Sequence, residues 1–409
     1  MQYHNYRGRI DCHQSRGMKM KKKFETEVIH GNYDSAEYQD SLVPPIFQSS
    51  TFTFANAQQG ERRFAGEEAG FIYSRLGNPT VKILEERIAN LEGAEKALAF
   101  GSGMAAVSAV LFSFVKTGDH IVCSQGVYGC TFGLLQLMRE KFDVSHAFSF
   151  MTTEEEVRSA LTENTACIYI ETPINPTMRL VDLEMVSRVA KEKGIPVIVD
   201  NTFCTPYLQK PLELGCDIVI HSATKYICGH GDVIAGIVAG NEERLNKISM
   251  TTQKDIGGII APFDAWLLLR GLKTLHLRMD RHCENAVKLA SALMTHPAID
   301  QVYYPGNPKQ TDFNIAQKQM KKPGGLISFT IKGSKQDAQE LMNKLKLIKI
   351  AVSLGDAETL IQHPATMTHA VVPVQKRIEM GIPDNMLRLS VGLEASEDIW
   401  EDLEQALQK

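Results

Sequence analysis

The most regular pattern of apolar positions begins after Asn78. Val81, Leu84, Ile88 and Leu91 recur at helical spacing. Asn78 can cap that helix, Pro79 suits its first position, and Gly93 can stop it. Lys96–Phe100 then reads as a strand and Met104–Val115 as a helix. Short apolar runs rich in β-branched residues follow at Ile121–Cys123, Cys167–Ile170, Val197–Val199, Ile218–Ile220 and Ile234–Val238, with amphipathic segments between most of them. Strands that are apolar throughout, alternating with helices, predict a mostly parallel sheet buried on both faces. From about Pro262 the pattern changes to one long helical stretch, Asp264–Met294. A strand at Leu326–Ile331, a helix near Gln336–Leu345, a strand at Leu387–Val391 and a last helix near Glu397–Leu407 complete the chain. The reading is therefore α/β, with a large domain on a mostly parallel sheet and a smaller C-terminal α+β domain.

The ends of the pattern add domain expectations. Residues 24–70 hold no sustained period, and such a stretch makes better sense as an arm laid over a partner subunit. The expected division is a basic extension over 1–23, an arm over 24–75, an α/β domain over 76–262 and an α+β domain over 263–409. The first 23 residues carry seven Lys or Arg against Asp11 alone, a charge of +6 that leaves −10 for the remainder. They lack the apolar stretch of a secretory signal and read as a disordered tail, or as an upstream extension with the native start at Met18 or Met20.

With 44% apolar and 22% charged residues, the chain of 409 can build a core. A net charge of −4 gives no electrostatic reason to expect nucleic acid, and no run of about eighteen apolar residues suggests a membrane span. Eight cysteines are scattered without a C-x-x-C pair, which argues against a zinc site or a disulfide scaffold and fits a reducing cytoplasm. No metal is expected.

In open α/β sheets ligands bind beyond the carboxyl ends of the strands, and four strand ends here carry suitable residues. Ser102, Gly103 and Met104 follow a strand and open a helix, where free N–H groups suit a phosphate. Gly101, Gly103 and Ala106 also fit a dinucleotide fingerprint, but that reading needs an acid ending the next strand, and Asp119 precedes it. Asp200 ends a buried strand, where a carboxylate needs a partner such as a pyridinium N–H. Ser222-Ala223-Thr224-Lys225 follows another strand: the hydroxyls could hold phosphate while the amine forms an imine with an aldehyde. Lys225 lies one strand–helix–strand step beyond Asp200, which lifts it above an ordinary surface lysine. Tyr128 could stack on a flat ring, or merely cover the core. Arg388, inside an apolar strand, is costly without an anion and matches a carboxylate; a structural ion pair is the bland alternative.

Together these segments resemble the fold-type-I, aminotransferase-like pyridoxal-phosphate enzymes of the cystathionine γ-synthase/γ-lyase group, from about Phe24 to the C-terminus. Tyr73-Ser74-Arg75 looks like the group's Tyr-x-Arg phosphate motif, whose residues reach the neighbouring subunit's phosphate. Ser102, Gly103 and Met104 resemble the phosphate cradle. Asp200 resembles the ring-nitrogen partner, Ser222 and Thr224 the phosphate hydroxyls, and Lys225 the imine lysine. Asn175, Ser353 and Arg388 resemble the set that holds a substrate carboxylate. The group implies pyridoxal 5'-phosphate as cofactor and a homotetramer built from dimers.

Within the group, Cys130, Lys254-Asp255 and the run Ser353-Leu354-Gly355-Asp356-Ala357-Glu358 are similar to its methionine-cleaving branch. That resemblance implies α,γ-elimination of L-methionine or a related sulfur amino acid, releasing methanethiol, 2-oxobutanoate and ammonia. Arg388 would hold the α-carboxylate, Lys225 would move the protons, Tyr128 would act as general acid and Cys130 would shape the pocket around the thioether. Cleavage or synthesis of cystathionine, or sulfhydrylation of an acylated homoserine, is the alternative within the group.

Overall fold

A computed structural model of the protein describes residues 22–370 and 372–408. The expectation for the basic extension falls almost wholly outside these residues.

Seven strands form the larger sheet: β1 (Lys96–Phe100), β2 (His120–Ser124), β3 (Ser145–Ser149), β4 (Thr165–Glu171), β5 (Val197–Asp200), β6 (Ile218–Ser222) and β7 (Gly236–Gly240). Their order is β1-β7-β6-β5-β4-β2-β3. β7 runs against both its neighbours, and every other pairing is parallel. The carboxyl ends of β1, β2, β4, β5 and β6 therefore face one edge. Alternate residues of β4 enter different cores: Cys167 and Tyr169 pack with the helix Gly103–Phe114, Ile168 and Ile170 with Leu183–Glu192. Burial on both faces explains why these strands are apolar throughout.

The smaller sheet, ordered β10-β11-β12-β9-β8, comprises β8 (Ile299–Tyr303), β9 (Leu326–Ile331), β10 (Lys349–Ile350), β11 (Leu360–Gln362) and β12 (Met386–Ser390). Phe329, Leu387 and Leu389 pack with Leu289, Leu293 and Leu403 from the covering helices.

Local chemistry accounts for the element ends. The helix Pro79–Glu92 starts where Asn78 Oδ1 accepts from Thr80 N–H at 2.9 Å and stops at Gly93, whose φ of 73° is left-handed. The helical stretch expected over 264–294 is instead two helices, Pro262–Leu272 and Leu275–Thr295. At the break Arg278 donates to the carbonyls of Gly271 (2.9 Å) and Tyr226 (2.6 Å). It thereby satisfies a freed helix carbonyl and ties the break to the segment after Lys225.

Residues 24–70 are less irregular than their sequence suggests. They hold Phe24–Glu27, a 3-10 turn at Ser35–Tyr38 and an eight-residue helix, Ala57–Phe64, capped by Asn56. The base of this segment is fixed to its own chain: Thr80 Oγ1 donates to Pro45 O and accepts from Phe47 N–H, and Trp266 Nε1 donates to Pro44 O. Leu42 and Phe64 nonetheless stay exposed.

Candidate active site

A cavity of about 300 Å³ lies at the carboxyl edge of the larger sheet. It collects Ser102, Gly103 and Met104 after β1, Tyr128 after β2, and Asn175 after β4. Asp200 closes β5, and Ser222, Thr224 and Lys225 lie at and beyond the end of β6. The smaller-sheet region adds Ser353 and Arg388. Lys225 and Ser353, 128 residues apart in sequence, thus face each other in one cavity.

Ser102 caps the helix Gly103–Phe114 through Oγ, which accepts from Ala105 N–H at 3.0 Å. The first intrahelical bond runs from Ala106 N–H to Ser102 O, so the N–H groups of Gly103 and Met104 precede the ladder. A Cβ at Gly103 would lie 2.9 Å from Ser222 Cβ; glycine lets these two loops meet. The Thr224 hydroxyl accepts from Ala235 N–H at 2.9 Å, which fixes the turn leading into Lys225.

Asp200 Oδ1 accepts from Thr202 N–H (3.0 Å) and Thr202 Oγ1 (2.5 Å), and no cation pairs with it among the described residues. Burial raises its carboxyl above the ordinary value. The β4–β5 register sets Glu171 beside it. Glu171 is 7% exposed and accepts from Tyr128 N–H with both oxygens, at 3.0 and 2.9 Å. Burial, reinforced by the Asp200 charge, pushes Glu171 up to about 8. Two adjacent buried carboxylates without a cation are expensive. A protonated ring nitrogen would supply the missing positive charge, and the helix start offers free donors for a phosphate. The donor set fits pyridoxal phosphate.

Lys225 Nζ lies 3.4 Å from Ser353 Oγ and has no ion pair among the described residues. Burial lowers its ammonium, Arg388 lowers it further, and Asp356 opposes both. Arg388 is 3% exposed and also lacks an ion pair among the described residues. Its Nη1 donates to Asn175 Oδ1 at 2.9 Å and its Nη2 to Ser353 O at 2.8 Å, both neutral acceptors. Burial pushes its guanidinium down to about 10. A charge buried this way is set for an anion from outside.

Tyr128 is pushed up to about 12, chiefly by burial and next by its hydrogen bond with Cys130. Cys130 itself is exposed and stands off the cavity wall. Tyr73, Arg75, Lys254 and Asp255 are not brought to this cavity. They gather apart: Arg75 Nη1 donates to Lys254 O at 2.6 Å, its guanidinium lies 5.6 Å from the Tyr73 ring centroid, and Lys254 Nζ meets Asp255 Oδ1 at 2.5 Å. Glu171, Thr202 and Thr131 also line the cavity and escaped the sequence reading. The strand-end rule that picked Asp200 would have found Glu171, which ends the neighbouring strand.

A cavity at a strand-end edge, with an anion-ready helix start, unpaired carboxylates and a buried lysine, defines a fold-type-I pyridoxal-phosphate enzyme. Residues 25–408 match the family model of Cys/Met metabolism PLP-dependent enzymes, and the chain belongs to that family. It is 50% identical to the L-methionine gamma-lyase of Fusobacterium nucleatum subsp. nucleatum, over 96% of this chain and 100% of that protein. It is 44% identical to the cystathionine gamma-lyase of Bacillus subtilis, over 95% of this chain and 100% of that protein. Among solved structures, the cystathionine gamma-lyase of Lactobacillus plantarum complexed with L-serine superposes with a TM-score of 0.88 at 41% identity, covering 94% of this chain and 98% of that one.

Proposed function

We propose that this protein is a carbon–sulfur lyase that takes L-methionine and one water to methanethiol, 2-oxobutanoate and ammonia. The observation that carries the reading is the presence of Lys225 and Arg388 in one cavity, neither in an ion pair among the described residues. An α-amino acid would bring the carboxylate that Arg388 lacks and would set its amine beside Lys225. The choice of methionine is supported by the full-length likeness to a methionine lyase and by Cys130 beside Tyr128.

Pyridoxal phosphate, when bound, supplies an aldehyde for the substrate amine and a ring that withdraws electrons from Cα. Ser102, Gly103, Met104, Ser222 and Thr224 would hold its phosphate, and Asp200 would keep its ring nitrogen protonated. Arg388, braced by Asn175 and Ser353, would fix the α-carboxylate. Lys225, once released as a free amine, would take the proton from Cα and then one from Cβ. Its lowered pKa favours that neutral form. Tyr128 keeps its proton at neutral pH and can give it to the departing sulfur. Cys130 would shape the space around the thioether through Tyr128.

We further propose that Tyr73, Arg75, Lys254 and Asp255 serve the cavity of a second subunit, in a homotetramer built from dimers. Their gathering outside the cavity of their own chain supports this. A cytoplasmic location suits the seven free cysteines among the described residues.

The test is purified protein with pyridoxal phosphate and L-methionine, following methanethiol and 2-oxobutanoate together. Equal release of both supports the reading. Silence with methionine but turnover of cystathionine or O-acetylhomoserine would move the chain to another substrate of the same family.

A further inference from the structure

Behind the cavity wall lies an acid that the mechanism above does not use. Asp356 is 7% exposed, and its Oδ1 has no hydrogen-bond partner among the described residues. It sits in the turn that carries Ser353, and that turn is held on three sides. Ser353 O accepts from Arg388 Nη2 at 2.8 Å, Gly355 N–H donates to Ser390 Oγ at 3.0 Å, and Ala357 O accepts from Leu393 N–H at 2.7 Å. From the other side the loop after Lys225 closes over it: a Cβ at Gly231 would stand 3.4 Å from Asp356 Oδ1, and one at Gly355 only 2.7 Å from Tyr226 N. An acid in such a place is costly unless a positive charge repays it. The cation facing it is Lys225, while Glu358 and Asp232 face it with like charge. Lys225 in turn is faced by Arg388, another cation.

We propose that Asp356 is a positioning residue for Lys225: acting through the Ser353 hydroxyl, it aims the lysine nitrogen and supplies the negative charge that nitrogen otherwise lacks. Ser353 Oγ links the two, 3.4 Å from Lys225 Nζ and within hydrogen-bonding reach of the Asp356 carboxylate. The opposed influences on Lys225, Arg388 downward and Asp356 upward, agree with this arrangement. Without Asp356 the lysine would face only burial and a guanidinium. Its nitrogen would hold a proton less well and would lose the hydroxyl that aims it at the substrate.

The inference rests on Lys225 as the lysine that binds the cofactor, and the experiment separates the two. The protein loaded with pyridoxal phosphate is titrated with alkali while the visible band is followed, in wild type and Asp356→Asn. A wild type without a visible band sinks the reading of Lys225. A wild-type band whose pH midpoint does not move in Asp356→Asn overturns the inference alone. The expected result is retained cofactor with a midpoint lower by about one pH unit, the size for losing one opposite charge nearby. Turnover adds a second criterion: kcat should fall about tenfold while KM changes less than about twofold, since Asp356 touches no substrate. In a Ser353→Ala background, Asp356→Asn should cost kcat nothing more, and an additive loss refutes action through Ser353. If the asparagine variant does not fold, Asp356→Ala removes the carboxylate together with its burial cost and must give the same midpoint shift.

Discussion

Replacing Arg388 by Met should move activity and stability in different directions. The side chain is 3% exposed and bonds Asn175 Oδ1 and Ser353 O without any acid among the described residues. If it receives the substrate carboxylate, removing it leaves that anion unpaired in a buried site, at about 4 kcal/mol. At about 1.4 kcal/mol per tenfold, kcat/KM should drop about a thousandfold. Folding faces a different balance. The variant loses two hydrogen bonds of about 1 kcal/mol each, but also the burial of an uncompensated guanidinium, which costs several kcal/mol. Methionine refills most of the volume. The Tm of the cofactor-free protein should therefore hold or rise. Steady-state kinetics with methionine and thermal unfolding of the cofactor-free variant read both quantities. A stability loss of about 3–5 kcal/mol would mean that Arg388 is a structural ion-pair member after all. Activity within tenfold of wild type would refute the carboxylate role.

Two more outcomes can be checked on the same protein. Burial holds the Glu171 carboxyl up at about 8 against an ordinary 4.5, so the folded state prefers its neutral form. The associated stability is complete below about pH 4.5 and is lost as pH rises to about 8. Glu171→Gln mimics the neutral form, so its Tm advantage over wild type should be absent near pH 4.5 and grow toward pH 8 in cofactor-free protein; a constant difference would count against the argument. Cys130→Gly should alter the ratio of activities on methionine, homocysteine and cystathionine while the cofactor band persists. Loss of that band would show that Cys130 holds the cofactor and does not shape the substrate pocket.

Much of the fold was legible because period and punctuation agreed. Lys96–Phe100 and Leu326–Ile331 appear with the bounds their apolar runs suggest, and Pro79–Glu92 is framed by its own cap and stop residues. Elements without a local signal were missed. Ser145–Ser149 is an edge strand that pairs, among the described residues, with β2 alone and is half-buried at best, and three of its five residues are polar. The two-residue β10 and three-residue β11 are too short to show a period. At the break at Lys273–Thr274 Arg278 reaches the carbonyl of Tyr226 in another segment as well as that of Gly271, contacts that no helical pattern reveals.

The site divides in the same way. Sequence alone determined which residue types stand at the strand ends, because a buried parallel sheet puts reactive groups where its strands stop, and Asp200, Lys225 and the Ser102–Met104 turn follow from that rule. Tertiary structure decided what those groups face. The β4–β5 register set Glu171 beside Asp200, and the packing of the smaller sheet brought Ser353 to Lys225 and Arg388 to Asn175. It also held Tyr73, Arg75, Lys254 and Asp255 away from the cavity of their own chain. Side-chain charge acts over a few ångströms of space, and no spacing along the chain encodes which distant segments will share them.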